Sequence, residues 1–302
     1  MRTHWMLALC VVLGSCSRSE PQASAPAPVV PTKAPTPAAS FALPAAKRVV
    51  AIGDLHGDLV ATRHALQLAR AIDAEDRWIG GDLVVVQTGD FLDRGDDERA
   101  IFELTDALRV AAPKSGGALV ALSGNHELMN VAQDFRYVTP NAFSAFADQG
   151  GRDVAFRPGG SFARRLAERP IVVQVGDTVF VHGGVLQKHV RYGIARMNQE
   201  VRAWMLGQSA PPAIVLSEDG PIWTRLYSDR ESPDVCAELH ATLQALGAKR
   251  MVVGHTPQLQ GITSACEQQV WRIDTGMAHH YGGPVEVLEI VGTDVHALKE
   301  VP

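Results

Sequence analysis

The fold is decided by Val49-Val50-Ala51-Ile52-Gly53-Asp54-Leu55-His56-Gly57-Asp58. Four apolar residues with no polar alternation read as a strand buried on both faces, the pattern of parallel sheets covered by helices. Gly53 breaks the run, and a carboxylate and an imidazole follow at the carboxyl end of the strand. Leu59 to Ile72 then carries helical periodicity. The unit recurs. Leu83 to Gln87 predicts a second strand, Ala100 to Val110 a helix stopped by Pro113, and Ala118 to Leu122 a third strand. The order β-α-β-α-β argues for parallel strands with helices on the faces.

Downstream, strands are expected at Ile171–Val175, Thr178–Val181, Arg250–Val253, Gln269–Ile273 and Val285–Val291, with Asp177 in a turn between the first two. This half reads as mixed or antiparallel, so the class is α/β shading into α+β. Two less regular segments, about 129–170 and 186–235, are candidate caps over the active face. One catalytic domain is expected, and no internal repeat is visible.

The informative polar residues stand just after the apolar runs. Asp54 and His56 follow the first. Gly89-Asp90-Phe91-Leu92-Asp93-Arg94-Gly95 follows the second, and Gly124-Asn125-His126-Glu127 the third. His182-Gly183-Gly184 follows Val181, and Gly254-His255-Thr256 follows Val253. Carboxyl ends of strands are where open α/β sheets bind ligands. Asp90 has two oxygens with which to bridge two cations, and Asn125, His182 and His255 add a neutral oxygen and two imidazoles. Mixed N/O donors suit Mn, Fe or Zn better than Ca or Mg. Two such ions clamp phosphoryl oxygens and activate water. Arg94 and Arg225 are forks for a phosphate. His126, oriented by Asp93, is a proton donor for a leaving alkoxide. Plainer roles fit other residues. Asp58 reads as a helix cap, Asp96 to Glu98 as the start of the next helix, and Arg164-Arg165 as a solvated helix face. Glu127 supports the acid pair or accepts backbone hydrogens.

These five motifs in this order resemble the phosphoprotein phosphatase family of metallophosphoesterases, and more finely its bacterial Shewanella-like branch, over about residues 49 to 283. The resemblance implies a central β-sandwich flanked by helices. It implies one metal on Asp54, His56 and bridging Asp90, and a second on Asp90, Asn125, His182 and His255. Arg94 and Arg225 match phosphate-binding arginines, and Asp93 with His126 matches the acid dyad. The family attacks phosphoserine, phosphothreonine and sometimes phosphotyrosine directly with metal-bound hydroxide. Asp274 to Gly283 departs from the eukaryotic core enzymes, and Tyr281 is placed near the substrate. The rival within the same metal chemistry is a bis(nucleosidyl) tetraphosphate hydrolase, which needs a nucleobase platform. A small-molecule phosphatase is a further alternative.

The formal net charge of −5 and pI of about 6.1 give no broad basic field, which argues against a nucleic-acid partner. The substrate expected is a phosphorylated protein or small phosphate ester. Arg2, the apolar run Trp5 to Leu13 and Leu13-Gly14-Ser15-Cys16 resemble a bacterial lipoprotein leader. On that reading residues 1–16 are the signal, 17–46 a Pro/Ala-rich tether and 47–302 the catalytic domain. The protein would then be held at the bacterial cell envelope, on the outer membrane, by a lipid at Cys16. An oxidising compartment permits a disulfide between Cys236 and Cys266, and spacing leaves their pairing open.

Overall fold

The computed structural model of the chain describes Met1 and residues 41–300. Eleven strands form among the described residues. They are β1 Ala42–Leu43, β2 Arg48–Ile52, β3 Val84–Gln87, β4 Ala118–Ala121, β5 Val172–Val175 and β6 Thr178–Val181, followed by β7 Arg250–Val253, β8 Thr263–Ala265, β9 Val270–Arg272, β10 Glu286–Val291 and β11 Asp294–Lys299. They make two sheets, in the orders β11-β10-β2-β3-β4 and β1-β5-β6-β7-β9-β8. Within the first, β2, β3 and β4 are parallel, with Val50 opposite Val85 and Val85 opposite Leu119. Within the second, β6, β7 and β9 are parallel, and β5 meets β6 as a hairpin turned at Gly176-Asp177.

The β2 run explains the layers. Val49 and Ala51 point inward and cluster with Val86, Leu288, Phe180, Val252 and Trp271, so residues of both sheets share one interior. Val50 and Ile52 point outward and join the larger core with the helices α1 (Leu59–Leu68) and α2 (Glu98–Ala111). A strand apolar at successive positions can bury both faces, and here it does. The architecture is a β-sandwich flanked by helices, as the resemblance implies. Asp58 caps α1, its Oδ1 accepting the Ala61 N–H at 2.9 Å. The two less regular segments are largely short helices, including Pro140–Ser144, Arg152–Phe156 and Ser161–Leu166 in the first and Gln187–Tyr192 and Ile194–Met205 in the second. Their brevity and glycine punctuation hid the helical period. Arg165 is not a free surface cation, because it pairs with Asp106 and stacks over Phe102 and Phe162.

Cys236 and Cys266 are bonded, tying the helix Pro233–Leu246 to the turn after β8. The lipid-anchored envelope reading is corrected. Among the described residues no helix is long and apolar enough to cross a membrane. The run from Trp5 to Leu13 is also too short for a bilayer. Cys16 and the rest of the leader lie outside the described residues.

Candidate metal centre

Strands β2, β3 and β4 of one sheet and β6, β7 and β9 of the other deliver polar residues just past their carboxyl ends. Asp54, His56, Asp90, Asn125, His126, His182, His255 and Asp274 are all buried there. The backbone is bent sharply to do this. His56, Asp90, Asp93, Arg94 and His255 all have left-handed φ, between 42° and 71°. Such non-glycine residues cost about 1–3 kcal/mol each and persist only where the surroundings fix them. Gly124 is required by close approach, because a Cβ there would collide with the Asp90 carboxylate and crowd the His182 ring.

Hydrogen bonds on the outer ring nitrogens set the tautomers. His182 Nδ1 lies 3.0 Å from the Thr88 carbonyl, His56 Nδ1 3.0 Å from the Leu92 carbonyl, and His255 Nε2 3.1 Å from the Trp223 carbonyl. A carbonyl only accepts, so each of these nitrogens carries a proton, and the other nitrogen of each ring faces inward. Around His182 Nε2 stand Asn125 Oδ1 at 2.9 Å, Asp90 Oδ2 at 3.1 Å and His255 Nδ1 at 3.1 Å. The Asn125 amide nitrogen faces Met129 Sδ, so its oxygen is the atom turned to the cluster. Three acceptors crowd this one nitrogen, which can offer at most a single proton, an arrangement that a cation relieves. Asp90, His182 and His255 form one triad able to hold a metal.

Asp90 spends Oδ1 on the His126 N–H at 3.0 Å, which leaves Oδ2 to bridge. That oxygen lies 3.9 Å from His56 Nε2 and 3.8 Å from His126 Nε2, and the three residues make a second triad. Asp54 Oδ2 stands 3.9 Å from the same His56 nitrogen. The electrostatics separate the two imidazoles of this second triad. Burial pushes His56 down to about 4, and burial with neighbouring His182 pushes His255 down to about 2, so both are neutral donors. Burial would also lower His126, but the Asp90 and Asp93 carboxylates outweigh it and hold this ring above its ordinary value. Its Nδ1 donates to Asp93 Oδ2 at 2.6 Å. A ring that favours its proton suits acid chemistry better than metal ligation. Asp90 is held well below the carboxylate range despite its burial, by His182 and His126. Asp54 is raised by burial and by the Asp274 and Asp90 charges, which accumulate where a second cation would neutralise them.

The remaining residues rim the cluster. Arg225 Nη1 donates to the His255 carbonyl and to Thr256 Oγ1, both at 2.8 Å. The Arg94 guanidinium lies 3.9 Å from the centre of the Tyr137 ring, and that ring is 5.1 Å from His126. Tyr281 flanks the other side, 5.3 Å from His56. Glu127 accepts N–H groups from Gly124, Asp90, Phe91 and Leu92 at 2.7–3.1 Å. Burial and the Asp90 charge push its carboxyl up to about 7, and the four donors pull back. They occupy both oxygens, so the geometry fits the carboxylate.

All ten residues nominated from sequence therefore sit at one end of the sandwich. Sequence reasoning missed Asp274 as a member, although it follows β9 as Asp54 follows β2, and burial raises it to about 6. It also missed Tyr137, Asn130, Glu98 and Arg152, whose positions no strand-end rule marks.

A family profile described as calcineurin-like phosphoesterase matches residues 47–259. Shewanella-like protein phosphatase 2 of Arabidopsis thaliana is 38% identical over 293 residues, covering 81% of this chain and 75% of that protein. Shewanella-like protein phosphatase 1 of Plasmodium berghei is 32% identical over 269 residues, covering 84% and 74% respectively. Among solved structures, a cold-active protein tyrosine phosphatase aligns with a TM-score of 0.76 at 24% identity, over 85% of this chain and 78% of that one. That last likeness is one of fold.

Proposed function

Because the chain belongs to the calcineurin-like phosphoesterase family, we propose that it removes phosphate from phosphoserine, phosphothreonine or phosphotyrosine in proteins. At the coarser level it is a dinuclear metal phosphatase, a hydrolase of phosphate monoesters, on two metal-binding triads that share Asp90. The observation that carries the reading is the convergence of Asp90 Oδ2, Asn125 Oδ1 and His255 Nδ1 on His182 Nε2 within 3.1 Å, next to the His126–Asp93 pair.

Asp54, His56 and Asp90 would hold one ion, and Asp90, Asn125, His182 and His255 the other. The mixed nitrogen and oxygen donors suit Mn, Fe or Zn. Two ions bound there supply positive charge for the phosphoryl oxygens and a water of lowered pKa. The chain's own residues do the rest. Arg94, steadied by Tyr137, and Arg225, steadied by Thr256, grip the equatorial oxygens of the transferring group. His126 gives its Nε2 proton to the leaving oxygen as the ester bond breaks, and Asp93 keeps the ring turned to that task.

The test is phosphate release by the full-length chain, first stripped of metal and then given Mn. The substrates are phosphoserine, phosphothreonine and phosphotyrosine peptides, with diadenosine tetraphosphate alongside, whose hydrolysis frees nucleotides and no inorganic phosphate and is followed by nucleotide chromatography. Peptide turnover that is lost in Asp90→Asn supports the proposal. Cleavage of the dinucleotide alone would transfer the same metal chemistry to an anhydride substrate and overturn the protein-phosphatase assignment.

A further inference from the structure

A buried cation stands behind the acid pair. Arg152 opens the short helix Arg152–Phe156 in the insertion after β4, and it is fully buried. All five of its N–H groups find acceptors. Nε donates to Asn130 Oδ1 at 2.9 Å. Nη1 donates to Glu98 Oε2 at 2.5 Å and to the Ala142 carbonyl at 3.1 Å. Nη2 donates to Glu98 Oε1 at 3.1 Å and to Asp93 Oδ1 at 3.5 Å. The Phe146 and Phe156 rings enclose the guanidinium at 5.1 and 4.8 Å. A buried ion pair alone adds little to stability, because desolvation offsets the attraction. What distinguishes this pair is where it ends.

Asp93 accepts on both oxygens. Oδ2 takes the His126 Nδ1–H. Oδ1 takes the Asn130 amide at 2.9 Å as well as Arg152, and the Asn130 oxygen is itself held by Arg152. The Asp93 N–H is meanwhile fixed on Glu98 Oε1 at 2.5 Å. Arg152 thus braces the carboxylate directly, through Asn130 and through Glu98. We propose that Arg152 is a positioning residue for leaving-group protonation, fixing Asp93 so that His126 Nε2 faces the ester oxygen. The inference rests on the phosphatase reading above. In that step the water oxygen bonds to phosphorus and the ester P–O bond breaks with its electron pair on the departing oxygen. That oxygen takes the His126 proton, while the water's surplus proton goes to solvent, which later reprotonates His126.

Proton donation matters for a poor leaving group such as a serine alkoxide and hardly at all for dinitrophenolate. The experiment compares full-length Mn-loaded parent, Arg152→Lys and Glu98→Gln/Arg152→Met on a phosphoserine peptide and on 2,4-dinitrophenyl phosphate. The double variant removes the pair without stranding a charge, which keeps the fold testable. The expected result is a kcat loss on the peptide of about 10–100-fold, a fraction of the roughly 10²–10⁴ that a positioned acid supplies. KM should hold, and dinitrophenyl phosphate turnover should fall by no more than about threefold, since its leaving group needs little acid help. Arg152→Lys, with its charge kept and its fork lost, should fall between. In the metal-free protein the strongly deshielded His126 Nδ1 proton, identified by its loss in His126→Asn, should shift and exchange faster in the double variant. Equal losses on both esters, or no loss, or an unmoved Nδ1 proton, would reduce Arg152 to a packing residue and overturn the proposal. A parent inactive on both esters would instead sink the phosphatase reading.

Discussion

Replacing Glu127 by Gln changes one atom and no shape, yet it should be among the most damaging single changes outside the metal ligands. Both carboxylate oxygens accept two backbone N–H groups each, Oε2 from Asp90 and Gly124 and Oε1 from Phe91 and Leu92. An amide can supply only one of those oxygens. Whichever way it turns, its NH₂ faces two N–H groups that then lose their acceptor in a site closed to water. A buried donor left unsatisfied costs about 1–3 kcal/mol, so two cost roughly 2–6 kcal/mol. For a domain of this size each kcal/mol moves the melting temperature by about 2–4 °C, so a drop of roughly 4–24 °C is expected. The same four donors shape the left-handed turn at Asp90, the carboxylate common to both triads. Activity at saturating Mn should therefore fall along with stability. Differential scanning calorimetry and phosphate release on Glu127→Gln measure both. A variant that melts within 2 °C of the parent, about what 1 kcal/mol produces, and keeps its rate would show that the donors have other partners and would refute this account.

Other outcomes follow from the same geometry. Stripping metal should lower the melting temperature, and Mn at about a hundred times its Kd should restore roughly 2.7 kcal/mol. Asp90→Asn, titrated in the same melts, should show little of that gain. The carboxylates of Asp90 and Asp93 raise His126, so its proton is held to higher pH, and activity is lost as pH climbs through that raised value. Asp93→Asn should move this alkaline limb of kcat/KM to lower pH, and an unmoved limb would assign it to another group. Removing Arg225 should act on binding, raising KM about 10–100-fold for a charge-assisted hydrogen bond worth roughly 1.5–3 kcal/mol, as steady-state kinetics would show. Loss of the Cys236–Cys266 bridge opens a 30-residue loop and should cost about 3–4 kcal/mol, read from melts of Cys236→Ser/Cys266→Ser.

The strand ends were legible because two periodicities coincide there. An apolar run buried on both faces ends beside a glycine, before it or after it, and the polar residue at that point has nowhere to go but the site. That logic finds Asp54, Asp90, Asn125, His182 and His255 without any knowledge of tertiary structure. It fails for Arg152 and Glu98, whose importance comes from burial, and a charged residue on a short helix looks like surface in one dimension. Glu98 was read as a helix start, which it is, but its side chain turns inward to Arg152 instead of outward to water. Tyr137 was invisible for another reason, since it acts through its ring against Arg94 and its carbonyl on the Arg94 N–H. The strand Asp294–Lys299 was missed because it alternates polar and apolar residues weakly on an exposed edge.

The pairing of β10 with β2 places residues 241 positions apart side by side. On the ribosome, β2 leaves the exit tunnel long before its neighbour exists. At about 5–20 residues per second the wait is roughly 10–50 s. Through that interval the edge of β2 is open, and His182 and His255 reach the Asp54 end of the sandwich only late. The enzyme is thus silent during its own synthesis, and the unfinished chain is the form most in need of a chaperone. Arresting translation before Val285 and probing the nascent chain by protease should reveal an exposed β2, whereas protection at that length would mean that the first sheet closes without its last strands.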